Sequence, residues 1–271
     1  MGRRHSFEYF WQDDSDMSLN ACAALVEKAD PERFRATMAA PVAAREKLFA
    51  LYAFNVEVAR APWVTQEPMI AEMRLQWWRD ALEEIATGVT PRKHEVVDAL
   101  ALVLDAQGAR LLDGLIAARR WDAYKDPFED AAHFDSYIDA STGHLMVTAA
   151  RLLGQGDAGI VRDFAYAAGV ANLLRAIPDL EERGRMPLVD GSEAGILALA
   201  QRANARLARA TSARHTMAKA AAPVLFSGYL ARPVLRQVCK DPGAVARGAL
   251  GLPPLREHLR FTNVALRGWW R

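Results

Sequence analysis

Apolar and small residues recur along this chain at three- and four-residue intervals, the spacing of one helix face, and nowhere in the sustained alternation of a half-buried strand. Between Pro41 and Pro62, residues Leu48, Leu51, Tyr52, Asn55 and Ala59 fall on one stripe, so a polar Asn55 occupies a row that is otherwise apolar or small. Pro41 suits the first turn of that helix, and Pro62 ends or kinks it. A first helix is expected over Met17 to Lys28, stopped by Asp30-Pro31, with a loop through Glu32, Arg33 and Phe34. Residues 68–87 form a strongly amphipathic helix with Ile70, Met73, Trp77 and Ala81 on its apolar stripe and Gly88 as C-cap. Two shorter helices, Glu95 to Leu104 and Ala109 to Arg120, are separated at Gly108. A long helical segment then runs from Pro127 to Leu153. Asp157 caps the next helix, which carries Asn172 and Arg175 and is interrupted at Pro178. Residues 192–221 are Ala- and Arg-rich helix, and shorter pieces broken by Pro223, Pro233, Pro242 and Pro253-Pro254 follow. No repeat of solenoid period or low-complexity linker divides the chain, so residues 1–271 are expected to form one all-α domain.

Composition narrows the class. Of the 271 residues 51% are hydrophobic, enough to bury a large core. No run of about 18 apolar residues and no secretory h-region occurs, which points to the cytoplasm. Cys22 and Cys239 lie far apart without metal-ligand spacing and are expected to stay reduced. The formal net charge of +1 conceals an asymmetry. Residues 201–271 hold 13 of the 34 Lys and Arg but only Asp241 and Glu257 of the 33 acids. That bias suits an anionic partner, or a solvated helical surface.

The six histidines, His5, His94, His133, His144, His215 and His258, show no HxxxH or HExxH spacing. Nucleophile constellations, phosphate-binding glycine loops and nucleic-acid motifs are also missing, which argues against a nucleic-acid partner. The last segment interleaves Arg256, Arg260, Arg267 and Arg271 with Leu259, Phe261, Trp269 and Trp270. Residues 254–271 thus have the composition of a membrane-contact tail meeting anionic lipid through Arg260, Arg267, Trp269 and Trp270. The alternative is a terminal helix that docks its tryptophans on the core.

Two stretches carry chemistry. LYAFNVEVARAPW (51–63) and GVANLLRAIPDLEERGRMPL (169–188) resemble the two signature helices of the squalene/phytoene synthase family. The resemblance implies a helical isoprenoid synthase fold around a central cavity, in which paired aspartates on facing helices hold magnesium over a prenyl diphosphate. Asn172, Leu174, Arg175, Gly184, Arg185 and Leu188 match the second signature, and Tyr137 and Gly143 survive from a third element. The aspartate positions fall on Ala59, Trp63, Ala176 and Leu180, and the substrate-phosphate serines map around Pro31 and Arg33.

Magnesium requires hard oxygen ligands in near-octahedral geometry, and none of those four residues supplies one. Nearby acids are poorly placed: Glu57 precedes Ala59 by two residues, about 160 to 200° around a regular helix. Asp179, Glu181 and Glu182 are displaced from Ala176. Asp135 reads as an exposed helix-start acid, and Asp13, Asp14 and Asp16 as capping and solubility residues. What remains for a cavity or ligand site is Tyr52, Asn55, Tyr137, Asn172, Arg175 and Arg185. Asn172 and Arg175, at i and i+3, either meet the anionic or polar head of a ligand or leave Arg175 paired with an internal acid, Glu57 or Glu72.

Within the family the wording is most similar to the branch that includes the mitochondrial complex I assembly factor of this type. That likeness implies no resident cofactor, a role in assembling NADH:ubiquinone oxidoreductase with its subunits or assembly intermediates as partners, and an isoprenoid, lipid or quinone in the old prenyl cavity. A chain of this type without a transit peptide is expected to be a cytoplasmic counterpart, peripheral on the inner face of the membrane. The other reading is a divergent magnesium-dependent prenyltransferase that condenses isoprenyl diphosphates with other acids.

Overall fold

Side-chain caps divide the chain into helices, and several boundaries differ from those the apolar pattern predicts. The computed structural model describes the backbone of residues 5–65 and 67–270, with side chains from residue 17 onward, and contains no strand among them. Helix α1 (His5–Ala29) begins well before Met17. The side chains of Asp13, Asp14 and Asp16 lie outside the described ones.

The Asp30 carboxylate accepts the Arg33 backbone N–H and opens α2 (Pro31–Met38), with Pro31 in its first turn. The expected loop is therefore a helix, because Asp-Pro ends one helix and caps the next. Helix α3 (Val42–Arg60) follows Pro41 and gives way at Pro62 to a single 3-10 turn, Ala61–Trp63. Helix α4 (Pro68–Thr87) closes on Gly88, whose φ of 72° is the left-handed conformation that glycine adopts without strain. Its buried face is Ala71, Leu75, Trp78, Ala81 and Leu82, of which Ala81 belongs to the predicted stripe. Ile70 and Met73 of the predicted stripe are exposed, because α4 is turned to set Trp78 edge-on to Phe54, ring centroids 5.5 Å apart.

Helix α5 (Glu95–Ala101) is followed by α6 (Ala106–Arg119). Asp105 accepts the Gly108 N–H at 2.6 Å, so Gly108 sits in the first turn of α6 instead of separating two helices. Helix α7 (Ala131–Ile138), a π turn (Asp139–Gly143) and α8 (His144–Leu152) form one continuous rod with a widened turn at its middle. Helix α9 (Ala158–Glu182), capped by Asp157, runs through Pro178. The expected interruption does not occur; proline removes one donor, and here it does so only in the last turns. Helix α10 (Glu193–Ser212) stops short of residue 221, and 3-10 turns around Pro223 take up the remainder. Helices α11 (Ala231–Lys240) and α12 (Pro254–Arg267) complete the chain.

Each of the helices α1 to α12 contributes to one contiguous apolar core. No helix among the described residues is long and apolar enough to cross a membrane. Helix α12 docks on the core, contrary to the expected membrane role of its aromatic end. Trp269 is 3% exposed and meets Phe164 edge-on at 5.3 Å. The Trp270 carbonyl accepts from Arg232 at 3.0 Å, and Arg260 donates to the Tyr229 carbonyl at 3.1 Å. Burying the indole removes a large apolar surface from water. Arg267 stays exposed, and Arg271 lies outside the described residues.

Candidate functional site

Helices α3 and α9 flank a cavity of about 490 Å³, closed on a third side by the π turn and the end of α6. Such a volume suits a small molecule, for which pockets run roughly 300–1,000 Å³. Gly169 on α9 permits the approach to the π turn: a Cβ there would stand 2.8 Å from Thr142 Oγ1 and 3.0 Å from Ile138 Cγ2.

Ala59, Trp63, Ala176 and Leu180 all line this one space, together with Asn55, Tyr137, Asn172 and Arg185. Two other residues expected on its wall do not line it. Tyr52 is buried beneath the Arg33 guanidinium, 5.6 Å from the ring centroid, and burial raises its pKa. Arg175 turns outward to Glu32, with N–O distances of 2.7 and 3.2 Å. The acid is neither Glu57 nor Glu72, because α2 brings Glu32 against the outer side of α9. That hydrogen bond holds the Arg175 guanidinium above its usual range, against the opposing effect of burial. Glu57 pairs with Arg60 at 2.9 Å and lines a separate groove with Trp77 and Trp78. Glu72 pairs with Arg120.

Several residues of the wall carry no signal in the family signatures. Arg119 closes α6, and Trp121 and Asp122 follow in the next 3-10 turn. The Asp122 carboxylate is buried, accepting from Arg119 Nη1 at 2.8 Å and from the Tyr137 hydroxyl at 2.9 Å. Arg119 Nη1 also donates to the Tyr137 hydroxyl oxygen at 2.8 Å. Burial pushes the Tyr137 phenol well above its ordinary range. Burial also opposes the Arg119 charge, but Tyr137 and Asp122 outweigh it and hold the guanidinium up. Trp121 stacks on Phe128 at 4.1 Å, and Arg185 donates to the Asp122 backbone carbonyl. The guanidinium groups of Arg183 and Arg185 lie 5.2 and 5.0 Å from the Trp63 ring centroid. The local run Arg-Arg-Trp-Asp (119–122), dense in charge at a helix end, is the sequence feature that marks this network.

The donor set does not suit the magnesium that the family implies. Of the acids on the wall, Asp30 is engaged by Arg33 and Asp122 by Arg119 and Tyr137. No group of three or more His, Cys, Asp or Glu is placed to hold a metal among the described residues. Asp135 and Asp139 are tied elsewhere. Asp135 accepts from Tyr166 at 2.6 Å and from Arg202 at 3.1 Å, so it is a half-buried partner in an ion pair, not a free helix-start acid. Asp139 pairs with Arg162.

A family model, squalene/phytoene synthase, matches residues 26–190, which span both wall helices and the π turn. The chain belongs to the squalene/phytoene synthase family. A dehydrosqualene synthase crystal structure superposes with a TM-score of 0.78 at 14% identity, covering 94% of this chain and 97% of that one. A squalene synthase from Alicyclobacillus acidocaldarius gives 0.69 at 16% identity, covering 88% and 97%. Both show the isoprenoid synthase fold.

Sequence relatives point to a different branch. The Drosophila melanogaster homolog of NADH dehydrogenase (ubiquinone) complex I, assembly factor 6 is 31% identical over 186 residues, 65% of this chain and 55% of that protein. The Homo sapiens assembly factor 6 is 25% identical over 161 residues, 58% and 48% respectively. The chain thus spans about half the length of the curated relatives it matches.

Proposed function

We propose that this squalene/phytoene synthase-family protein is non-catalytic and acts in the assembly of respiratory complex I, with complex I subunits or assembly intermediates as its partners. One observation carries the reading. The four positions that hold the magnesium-binding aspartates in family enzymes converge on one cavity as Ala59, Trp63, Ala176 and Leu180. In family enzymes magnesium absorbs the charge of the diphosphate leaving group, and alanine, indole and leucine at these four positions supply no oxygen ligand to hold that ion. The relatives, complex I assembly factors, supply the assembly role. On this reading the protein needs no resident cofactor, and the retained cavity takes up an apolar ligand such as an isoprenoid, lipid or quinone.

A peripheral position on the cytoplasmic face of a membrane fits the same role, through a surface other than the docked tryptophans. Leu255, Leu259 and Leu266 lie along the outward stripe of α12, exposed, with Arg256 and Arg267 beside them. An apolar stripe bordered by arginine is suited to an anionic bilayer. The assembly role is tested by deleting the gene: assembled complex I is expected to fall, and an unchanged amount contradicts it. The second reading, a divergent prenyltransferase, draws on Asn55, Tyr137 and Asn172, which still face the cavity.

A further inference from the structure

On α12 the pair Leu-Arg occurs three times, at 255–256, 259–260 and 266–267, a spacing of four and seven residues that stacks the pairs along one side of the helix. Leu255, Leu259 and Leu266 are 73, 61 and 80% exposed. Each arginine, one residue on, stands about 100° further round, so a row of guanidinium groups borders the leucine row. Arg260 lies in the middle of that row and donates to the carbonyl of Tyr229, just before α11, at 3.1 Å. There the row meets Arg232 and Arg236, one turn apart on α11.

Arg232, Arg236 and Arg260 form a cationic notch without a counter-charge. Arg232 gives its Nη2 to neutral acceptors, the Thr211 hydroxyl at 3.1 Å and the Trp270 carbonyl at 3.0 Å. The two acids of residues 201–271 are engaged elsewhere: Asp241 pairs with Arg247, and Glu257 pairs with Arg35 and accepts from the Tyr229 hydroxyl. Among the described residues no carboxylate lies within ion-pairing distance of the three arginines. Burial, and after it the charge of Arg236, holds the Arg232 guanidinium below its usual range. Burial and the charges of Arg232 and Arg236 do the same to Arg260. Water can solvate the outer N–H groups, but only an anion offsets the repulsion among cations partly withdrawn from solvent.

We propose that the notch between α11 and α12 binds the phosphate of an anionic phospholipid whose head group carries no ammonium, of the phosphatidylglycerol type, while the leucine row enters the adjoining acyl layer. The proposal rests on the peripheral membrane reading of α12, and it specifies the lipid. Leucines beside the arginines decide for a lipid over an acidic protein segment: a bilayer supplies an apolar phase and a layer of phosphates at adjacent depths, matching the two rows. Guanidinium forks suit phosphate oxygens in particular, which they meet two at a time. Charge selects the head group. Phosphatidylserine and phosphatidylglycerol have the same net charge and attract a basic surface equally from a distance. At contact, the serine ammonium would bring a fourth cation beside three that already repel one another, and glycerol brings none.

Flotation of the full chain with phosphatidylcholine vesicles, doped with phosphatidylglycerol or with phosphatidylserine at one mole fraction, tests this. Phosphatidylglycerol vesicles are expected to bind about fivefold more tightly, the effect of roughly one arginine at a lipid surface. Arg236 is exposed and makes no hydrogen bond or ion pair to the described residues, so Arg236→Gln keeps the fold, with helix content by circular dichroism as the check. It is expected to weaken phosphatidylglycerol binding about fivefold and phosphatidylserine binding by less than about twofold. Leu259→Ser with Leu266→Ser is expected to weaken both lipids alike. Equal binding of the two lipids overturns the head-group site and leaves the peripheral membrane reading standing. So does an Arg236→Gln variant that binds phosphatidylglycerol normally or loses both lipids by one factor. Tighter binding of polyglutamate than of the phosphatidylglycerol vesicles assigns the arginines to an acidic peptide and also overturns it. If no vesicle binds, both this proposal and the membrane reading fail, whereas the assembly role is judged separately by complex I content.

Discussion

At Trp63 an indole beneath two arginines stands where a family enzyme carries an aspartate, and across the cavity Ala176 and Leu180 repeat the loss. If geometry is retained and only the ligands are gone, putting them back should restore a metal response. The quadruple variant Ala59→Asp, Trp63→Asp, Ala176→Asp and Leu180→Asp is expected to melt below the parent in EDTA, because four carboxylates then crowd one space. Millimolar magnesium should recover much of that loss by binding the folded state alone, and thermal melts with and without the ion read it directly. The parent should show no such response. Arg175 carries a different lesson. Its i, i+3 relation to Asn172 is visible in the sequence, but its partner depends on α2, an eight-residue helix hidden behind an Asp-Pro pair that reads as a stop. A double-mutant cycle on Glu32→Ala and Arg175→Ala is expected to give a coupling of about 0.5–1 kcal/mol by urea unfolding, the size of a partly exposed pair. His144 sets a pH dependence. Burial lowers its pKa below the ordinary 6.5, and its Nδ1 lies 2.9 Å from the Leu111 carbonyl. The unfolded chain therefore takes up the proton first, so this contribution is complete above pH 6.5 and declines as pH falls toward the folded value. Urea midpoints at pH 7.5 and 5.5 should differ in that direction, and the difference should shrink in His144→Asn.

Among the elements, those marked by caps are legible and those defined by which neighbour they meet are not. Gly88 and Asp157 announce helix ends through local chemistry that tertiary contacts leave intact, whereas the Asp105 cap is masked by Gly108, which reads as the break. The face that α4 buries is decided by Trp78 against Phe54, and no periodicity distinguishes that stripe from the adjacent one carrying Ile70 and Met73. Helix α12 is the sharpest case. Its mixture of arginine, leucine and tryptophan is consistent both with a membrane and with a core, and the structure divides these side chains between a docked face and an exposed one. Trp269→Ala is accordingly expected to cost about 3–5 kcal/mol in chemical denaturation, as for other buried aromatics. Leu259→Ser with Leu266→Ser should change stability by no more than about 0.5 kcal/mol, since both side chains are exposed. Flotation with vesicles containing phosphatidylserine separates the roles further: the leucine variant should bind less, while equal binding removes the bilayer from the reading of this face.

For the molecule as a whole, the all-α class and the family were readable because two signature stretches survive on the facing walls of one cavity. The network around Asp122 was not, since Arg119 and Trp121 become wall residues only when the end of α6 folds against Tyr137 and Arg185. The same holds for the charge asymmetry, which sequence alone reveals but cannot assign to a surface. On the proposed function, a synthase cavity persists without synthase chemistry. The most direct test of this claim is to incubate the purified chain with farnesyl or geranylgeranyl diphosphate and magnesium and to measure pyrophosphate release. No release above the protein-free blank is expected, whereas sustained turnover that Asn172→Ala abolishes would contradict the account.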